Sequence, residues 1–339
     1  MEHYQALEKR RRLLGYTLGI LLILAALVAV QMGAYEVSLR ELLESVVIWN
    51  IRIPRITSAL LVGAMLGLCG GVMQCVLRNP LASPFTLGVS SGAAFGAAVA
   101  IVFLGVGQLN RTGLTGVIID NPYTLSAFAF FFSLVTVLVI LTLARLKQIT
   151  PAAMILAGVA MSSFFQAATM LIQLFAEDVK VAAVVFWTFG DVGRSNWIEI
   201  GLMAVIFGLV FSYFVLRRWE LNAMLGGDET AKSLGLEPER FRVKVMVLAS
   251  LLAAVGVSFA GIIGFVGLIA PHLVRLLIGG DYRYLVPYSS LLGALVLLLS
   301  DTVGRTIISP AVIPVGIVTS FLGVPTFLYL LLRGERYAA

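Results

Sequence analysis

The segment closest to a chemical motif is GGDETAKS, residues 226–233. The phosphate-binding loop of nucleotide hydrolases follows G-x-x-x-x-G-K-[ST], in which backbone N–H groups and the lysine surround the phosphates. Gly226, Lys232 and Ser233 match this pattern, but Ala231 replaces the second glycine. Asp228 and Glu229 would also bring two negative charges to an anion site. No buried strand precedes the segment, so the sequence disfavours an ATP site.

The same residues favour a short helix. Good helix formers run from Asp228 to Leu234, with acids in the first turn and Lys232 near the end. Gly235 predicts a stop, and Pro238 predicts a new helical start. The segment is then either an ordinary solvated turn or a docking helix for a partner protein.

The remaining reactive side chains are few. His272 has no second histidine, cysteine or paired carboxylate in its motif, and the only other histidine is His3. We therefore expect a structural hydrogen bond at His272, although a metal or proton-relay role is the alternative. Cys69 and Cys75 fall on different faces of one apolar helix and are predicted to be free. We expect no metal site and no cofactor in this chain.

Composition sets the class of protein that must position these residues. The chain has 339 residues, of which 60% are hydrophobic and 12% are charged, and its mean hydropathy is +0.99. Soluble domains carry about 25% charged residues. The net charge of +6 is spread over short segments between apolar runs, which is typical of membrane proteins and not of nucleic-acid binding. We predict an all-α polytopic membrane protein in contact with lipid.

Stretches of about 20 apolar residues can span a bilayer as helices. The run from Val245 to Gly280 is too long for one span, so Gly261, Gly264, Gly267 and Pro271 are expected to break it. The sequence then predicts ten spans in a single transmembrane domain covering residues 1–339. They lie near 13–32, 53–77, 85–106, 122–144, 151–175, 196–217, 241–261, 263–279, 286–304 and 311–332.

The distribution of basic residues predicts orientation. With the N-terminus inside, 17 of the 24 lysines and arginines fall on the inner side, as the positive-inside rule requires. Both termini are then cytoplasmic, and the basic, apolar N-terminal segment is an uncleaved first helix. Residues 219–240, between spans six and seven, form a cytoplasmic loop that contains GGDETAKS.

A faint internal repeat is also visible. Gly70 precedes Pro80 by ten residues, and Gly261 precedes Pro271 by the same distance. An odd number of spans separates the two copies, so spans 2–5 and 7–10 would form an inverted repeat, which is typical of transporters. The predicted helix-break motifs contain Asn79, Pro80, Gly264, Gly267, Pro271 and His272.

Four long stretches resemble the FecCD permeases of bacterial iron-siderophore, haem and vitamin B12 ABC importers. They are IRIPRITSALLVGAMLGLCGGVMQCVLRNPLASPFTLGVSSGAAFGA (51–97), LNAMLGGDETAKSLGL (221–236), GFVGLIAPHLVRLLIGGDYRYLVP (264–287) and SDTVGRTIISPAVIPVGIVTSFLGVPTFLYLL (300–331). The resemblance implies a permease with ten membrane helices in a prokaryotic cytoplasmic membrane. It implies a second permease subunit (forming a homodimer or a related pair), two cytoplasmic ATPase subunits and an extracytoplasmic binding protein. ATP and Mg would be bound by the ATPase, and the cargo would be a ferric siderophore, cobalamin, haem or an oxyanion.

The resemblance also implies site residues. The surface that contacts the ATPase would comprise Leu225, Gly226, Gly227, Asp228, Glu229, Thr230, Ala231, Leu234 and Gly235. Arg52 and Arg305 would dock the binding protein, the alternatives being snorkelling for Arg52 and an i, i+4 pair with Asp301 for Arg305. Gln148, Ile149 and Thr150 would form the cytoplasmic gate, while Thr150 can also cap the helix that Pro151 starts.

The sequence disfavours two other classes of function. An ion-coupled secondary transporter needs ionisable residues buried at mid-membrane, and the predicted spans contain almost none away from their ends. A membrane-embedded enzyme needs a cluster of catalytic side chains, which the sequence does not show.

Overall fold

The computed structural model describes residues 2–33, 47–109, 117–119, 121–147 and 150–334. The regular secondary structure in this part of the chain consists of helices, two isolated helical turns and one short antiparallel strand pair. The helices are α1 (Glu2–Gln31), α2 (Ile53–Val76), α3 (Val89–Leu104), α4 (Pro122–Lys147), α5 (Pro151–Leu174), α6 (Asp178–Thr188), α7 (Trp197–Leu216), α8 (Arg218–Leu225), α9 (Asp228–Ser233), α10 (Pro238–Ala260), α11 (Val266–Ile278), α12 (Tyr282–Thr306) and α13 (Val315–Gly334). The strands are β1 (Gly107–Leu109) and β2 (Val117–Ile119).

Seven of the described helices are long and apolar enough to cross a membrane: α1, α2, α4, α5, α7, α10 and α12. Three shorter apolar helices, α3, α11 and the first fifteen residues of α13, coincide with the remaining predicted spans. Every predicted span therefore has a helix. The all-helical class is confirmed, and the crossing of the membrane by all ten helices stays a prediction.

Helix α2 lies at the centre of the bundle, with 89% of its most apolar window buried. Glycines allow this burial. A Cβ on Gly63 would overlap the carbonyl oxygen of Gly293 in α12, and a Cβ on Gly70 would overlap that of Gly267 in α11. Small residues at helix interfaces let backbones approach closely, which drives packing in lipid.

The break predicted between spans seven and eight is present, but it is shorter than expected. Helix α10 ends at Ala260, Gly261 has φ +75°, and α11 begins at Val266. Gly261 and Gly264 lie in the break. Placing Gly267, Pro271 and His272 there was wrong, because all three lie inside α11.

The proline is accommodated inside α11 for a packing reason. Pro271 has no N–H to donate to the carbonyl of Gly267, four residues earlier. That carbonyl lies directly against Gly70 of α2, so the helix continues across Pro271 while its backbone packs on α2. Asn79 and Pro80, by contrast, follow the end of α2, as expected.

The glycine–proline match that suggested a repeat does not fall on equivalent positions. Gly70 lies within α2, whereas Gly261 follows the end of α10. Pro80 lies in the turn after α2, whereas Pro271 lies inside α11. That match was wrong as a sign of structural equivalence, and the inverted repeat of spans 2–5 and 7–10 stays a prediction.

The helix bundle has two ends. At one end, here called the α9 end, Arg11 of α1 contacts Asp281 before α12. At the other, the α6 end, Arg305 of α12 contacts the last turn of α1. Arg78, which follows α2, also meets Asp228 of α9 at the α9 end. That both chain termini lie on this side stays a prediction. Which side of the membrane the α9 end faces stays a prediction.

Candidate functional site

The GGDETAKS segment folds as the short helix α9. Gly227, with φ +104°, precedes the helix, and Gly235, with φ +81°, follows it. The N–H of Leu236 donates to Ala231 and the N–H of Gly235 donates to Lys232, which is the Schellman arrangement that closes a helix. Ala231 is fully buried. The predicted helix and its glycine stop are confirmed, and the backbone does not form a phosphate cradle.

Asp228 fixes the start of α9 to the rest of the bundle. Its carboxylate accepts hydrogen bonds from Nη2 of Arg242 in α10 at 2.8 and 3.0 Å. It also accepts one from Arg78, which follows α2. Arg242 is buried, and its Nε donates to the Val76 carbonyl of α2 at 2.8 Å. One carboxylate therefore joins α9 to the ends of both α2 and α10.

The opposite side of α9 is open to solvent. The Glu229 side chain is 90% exposed, and Leu234 is 68% exposed. Lys232 lies 3.0 Å from Glu229, and this hydrogen bond raises the pKa of the lysine. Leu225, at the end of α8, is half exposed as well. Leu225 at the end of α8, Glu229 in α9 and Leu234 just after α9 are thus all exposed on firmly attached helices.

Helix α8 is attached at the same end. The Asn222 amide donates to Asp281 at 3.0 Å and accepts from the N–H of Tyr282 at 2.8 Å. Thr230 Oγ1 donates to the carbonyl of Gly226 at 2.7 Å, which closes the turn between α8 and α9. The chain turns at Arg217, where the apolar run ends, so α8 lies in the segment that follows the sixth predicted span.

A groove of about 580 Å³ lies between α9 and α10 on one side and the last turn of α4 and first turn of α5 on the other. Thr150 lines it and accepts a hydrogen bond from the N–H of Ala153, so the predicted helix cap is confirmed. Gln148 and Ile149 lie outside the described residues. The structure brings Thr150 and Asp228 to one groove, with basic side chains between them: Arg145, Arg240, Arg242 and Lys244.

Arg52 and Arg305 lie together at the α6 end, and both are buried. Arg52 donates to the carbonyls of Val30 and Gln31 at 2.8 and 3.3 Å. Arg305 donates to the carbonyls of Met32 and Ala29 at 3.0 and 3.3 Å. These carbonyls at the end of α1 have no partner within the helix. The two arginines therefore cap α1, and their role in docking a binding protein stays a prediction.

Asp301 balances the charges of Arg305 and of the neighbouring Arg55. Its carboxylate lies 3.0 Å from Arg305, which is the i, i+4 pair anticipated from the sequence. It also lies 2.8 Å from Arg55, which in turn lies 3.1 Å from Asp191. A buried carboxylate paired with two guanidiniums avoids the large cost of an isolated buried charge.

The other reactive side chains have simple surroundings. Nε2 of His272 is buried without a hydrogen-bond partner in the described part of the chain, so the structural bond expected there is not made by this atom. Cys69 and Cys75 are buried free thiols. No group of three or more possible metal ligands occurs among the described residues.

The model of the FecCD transport family matches residues 20–333. The chain belongs to the FecCD transport family. Its helical bundle, in which the Asp228–Arg242 contact (here called the clamp) holds α9, is thus that of a FecCD permease subunit of an ABC importer.

Relatives of this FecCD chain cover nearly its whole length. An ABC transporter permease from Methanocaldococcus jannaschii is 52% identical over 98% of this chain and 97% of its own. The hemin transport permease of Yersinia pestis is 36% identical over 95% and 96%. The molybdate import permease of Haemophilus influenzae is 35% identical over 95% and 96%. A solved metal-chelate type ABC transporter in an inward-facing conformation is 33% identical over 95% of this chain and 99% of its own, with a TM-score of 0.82.

Sequence reasoning missed several features of this FecCD chain. Helix α6 lies in the segment between predicted spans five and six; its Trp187 is buried, and the Trp187 carbonyl lies against Gly261. The pattern VAAVVFWT was the available signal. The β1–β2 pair and the capping of α1 by distant arginines left no comparable local signal.

Proposed function

We propose that this chain forms the translocation pathway of a binding-protein-dependent ABC importer for a ferric siderophore or similar metal chelate. It works with a second permease subunit, which makes a homodimer, in a prokaryotic cytoplasmic membrane. Two separate ATPase subunits bind ATP and Mg at the α9 end, and a binding protein delivers cargo at the α6 end. The observation that carries the proposal is the clamped, solvent-exposed helix α9.

The clamp explains how ATP hydrolysis elsewhere can move this subunit. The leucines and Glu229 on the open side of α9 offer a contact surface for the ATPase. Asp228 on the other side holds Arg242, which holds the end of α2. Because α2 is the most buried described span, a displacement of α9 reaches the centre of the bundle as a rigid-body movement.

The names of the relatives support a metal chelate as cargo. The hemin permease and the solved metal-chelate type transporter share a cargo in which an organic ligand surrounds a metal ion. The molybdate relative makes an oxyanion the second candidate. We propose the chelate for two reasons. The solved transporter is of the metal-chelate type, and the hemin permease is slightly more similar to this chain (36% identity) than the molybdate permease (35%).

The partner assignment is tested by co-purification with the ATPase encoded for this system. Leu234→Glu should abolish co-purification, because it places a charge in the apolar part of the contact surface. Val179→Glu, an exposed change on α6 at the opposite end, is the control and should leave binding intact. Equal ATPase recovery with both variants, or transport by the chain alone on an ion gradient, would overturn the proposal.

The cargo is tested in proteoliposomes that contain the complete transporter and its binding protein. ATP-dependent uptake of a ferric siderophore, haem or cobalamin is the expected result. Uptake of molybdate with none of these chelates would refute the chelate assignment while leaving the permease assignment in place.

A further inference from the structure

Helix α1 is anchored to the bundle at both of its ends. At the α9 end, Arg11 donates to the carbonyl of Ile278 at 3.3 Å and to Asp281 at 3.4 Å. At the α6 end, Arg52 and Arg305 hold the last carbonyls of α1. Between these anchors, only 11% of the most apolar window of α1 is buried. The helix is therefore fixed at both ends, and one of its faces also packs on α12, where Gly15 lies against Tyr288.

An open groove runs beside α1 in its central part. Residues of α2, α7 and α12 line it together with Leu22 of α1, and its volume is about 470 Å³. Small side chains, such as Ala64, Ala204 and Ala294, create the space, and Phe207 and Phe211 form one wall. Ser290 Oγ donates to the carbonyl of Val286 at 3.1 Å, so its hydroxyl needs no further partner. The lining is otherwise almost entirely apolar.

The tryptophans at the two ends of α7 indicate the depth of the groove in the membrane. Trp197 begins α7 and Trp219 follows it, and both are about half exposed. Tryptophan is enriched at membrane interfaces, and a helix of 20 residues is about 30 Å long, which matches the hydrocarbon core. Ile200 and Phe211 line the groove roughly 5 and 21 Å from Trp197 along the axis. The groove therefore lies wholly within the hydrocarbon region.

We propose that this groove binds one lipid hydrocarbon chain as a fixed part of the structure. The groove is continuous with the lipid-facing surface of α1 and α7, and at its depth hydrocarbon is the available solvent. Its length along α7, roughly 16 Å, corresponds to one leaflet of the core.

Two physical effects favour a retained chain over an ordinary boundary lipid. Because both ends of α1 are anchored, the helix cannot move onto α7 and close the groove. An empty groove would leave its lining without van der Waals partners, which is unfavourable. A chain in a groove lined by residues of these helices makes more contacts than one lying on the flat outer face of α1. Binding of a lipid chain in this groove depends neither on the cargo nor on the ATPase.

Native mass spectrometry of the detergent-purified chain tests the proposal. The unmodified chain should retain one lipid per subunit, and Ala204→Trp should lose it because the indole fills the groove. Leu209→Trp is the matched control on the same helix, since Leu209 is 69% exposed and outside the groove lining. Absence of lipid from the unmodified chain, or equal retention by both variants, would overturn the proposal.

A labelling experiment avoids reliance on a variant that fails to fold. The unmodified chain is reconstituted in phosphatidylglycerol vesicles that contain phosphatidylglycerol with a mid-chain diazirine. Labelling concentrated in peptides covering 57–64 and 200–211 after detergent washing supports a bound chain. Labelling spread evenly over the exposed faces of α1 and α7 refutes it.

Discussion

The junction between α9 and the bundle allows a quantitative prediction for Asp228→Asn. The carboxylate accepts two hydrogen bonds from Arg242 and one from Arg78. The Arg242 side chain is 5% exposed, so the substitution leaves a buried guanidinium without its charge partner, bonded to the neutral amide oxygen and to the Val76 carbonyl. Losing the partner of a buried charge costs about 3–5 kcal/mol. Because Asp228 is 35% exposed, solvent screening reduces this value, and we expect about 2 kcal/mol.

The loss should appear as local opening of α9 before the bundle unfolds. At about 1.4 kcal/mol per factor of ten, 2 kcal/mol corresponds to roughly 30-fold faster amide exchange. Hydrogen–deuterium exchange of the peptide covering 228–236, measured on the purified chain, reports this directly. Asp228→Asn should show the acceleration while peptides of α2 remain protected.

Glu229→Gln is the matched control, because it removes the neighbouring charge from a side chain that is 90% exposed. A surface pair of this kind contributes at most about 1 kcal/mol, so exchange should rise only a few-fold. Equal exchange in the two variants would show that Asp228 does not clamp α9, and the rigid connection from α9 to α2 would fail with it.

Three further predictions concern the packing and the two ends of the bundle. Gly70→Ala should lower the melting temperature in detergent, with a loss of about 3 kcal/mol from overpacking against α11, whereas Gly201→Ala, which meets open space, should not destabilise. Arg305→Ala should destabilise the chain by about 3 kcal/mol and raise amide exchange at the end of α1; an unchanged melting temperature would assign Arg305 to docking alone. Burial by itself raises the pKa of Asp281, but hydrogen bonds from Arg283 and Asn222 outweigh burial and lower it below its ordinary value of 3.8. The stability that this carboxylate contributes is thus present above pH 3.8 and lost as the pH falls through the lowered pKa, so the melting-temperature gap between the unmodified chain and Asp281→Asn should narrow below about pH 3.8.

Local sequence accounts for the features that depend on neighbouring residues. The apolar runs predicted the position of each membrane helix, because a helix in lipid satisfies its own backbone within a single segment. The helix at 228–233 followed from its acids, Gly235 and Pro238. Capping by Thr150 belongs to the same class, since donor and acceptor are three residues apart.

The predictions at the helix break failed because they treated a packing question as a local one. Proline within an apolar run usually ends a helix. Pro271 does not: α11 continues across it, and the Gly267 carbonyl to which it cannot donate packs against Gly70, about two hundred residues away in the sequence. His272 was misplaced for the same reason.

The sequence by itself determined that this chain is a bundle of membrane helices with a short helix exposed between two of them. The tertiary structure alone decided what that helix is attached to and what the arginines at the far end hold. Arg78 meets Asp228 across 150 residues, and Arg305 meets Ala29 across 276. Such pairs carry no local signature, because any arginine can serve any carboxylate or free carbonyl until the packing of glycines in α2 brings one specific pair within hydrogen-bonding distance.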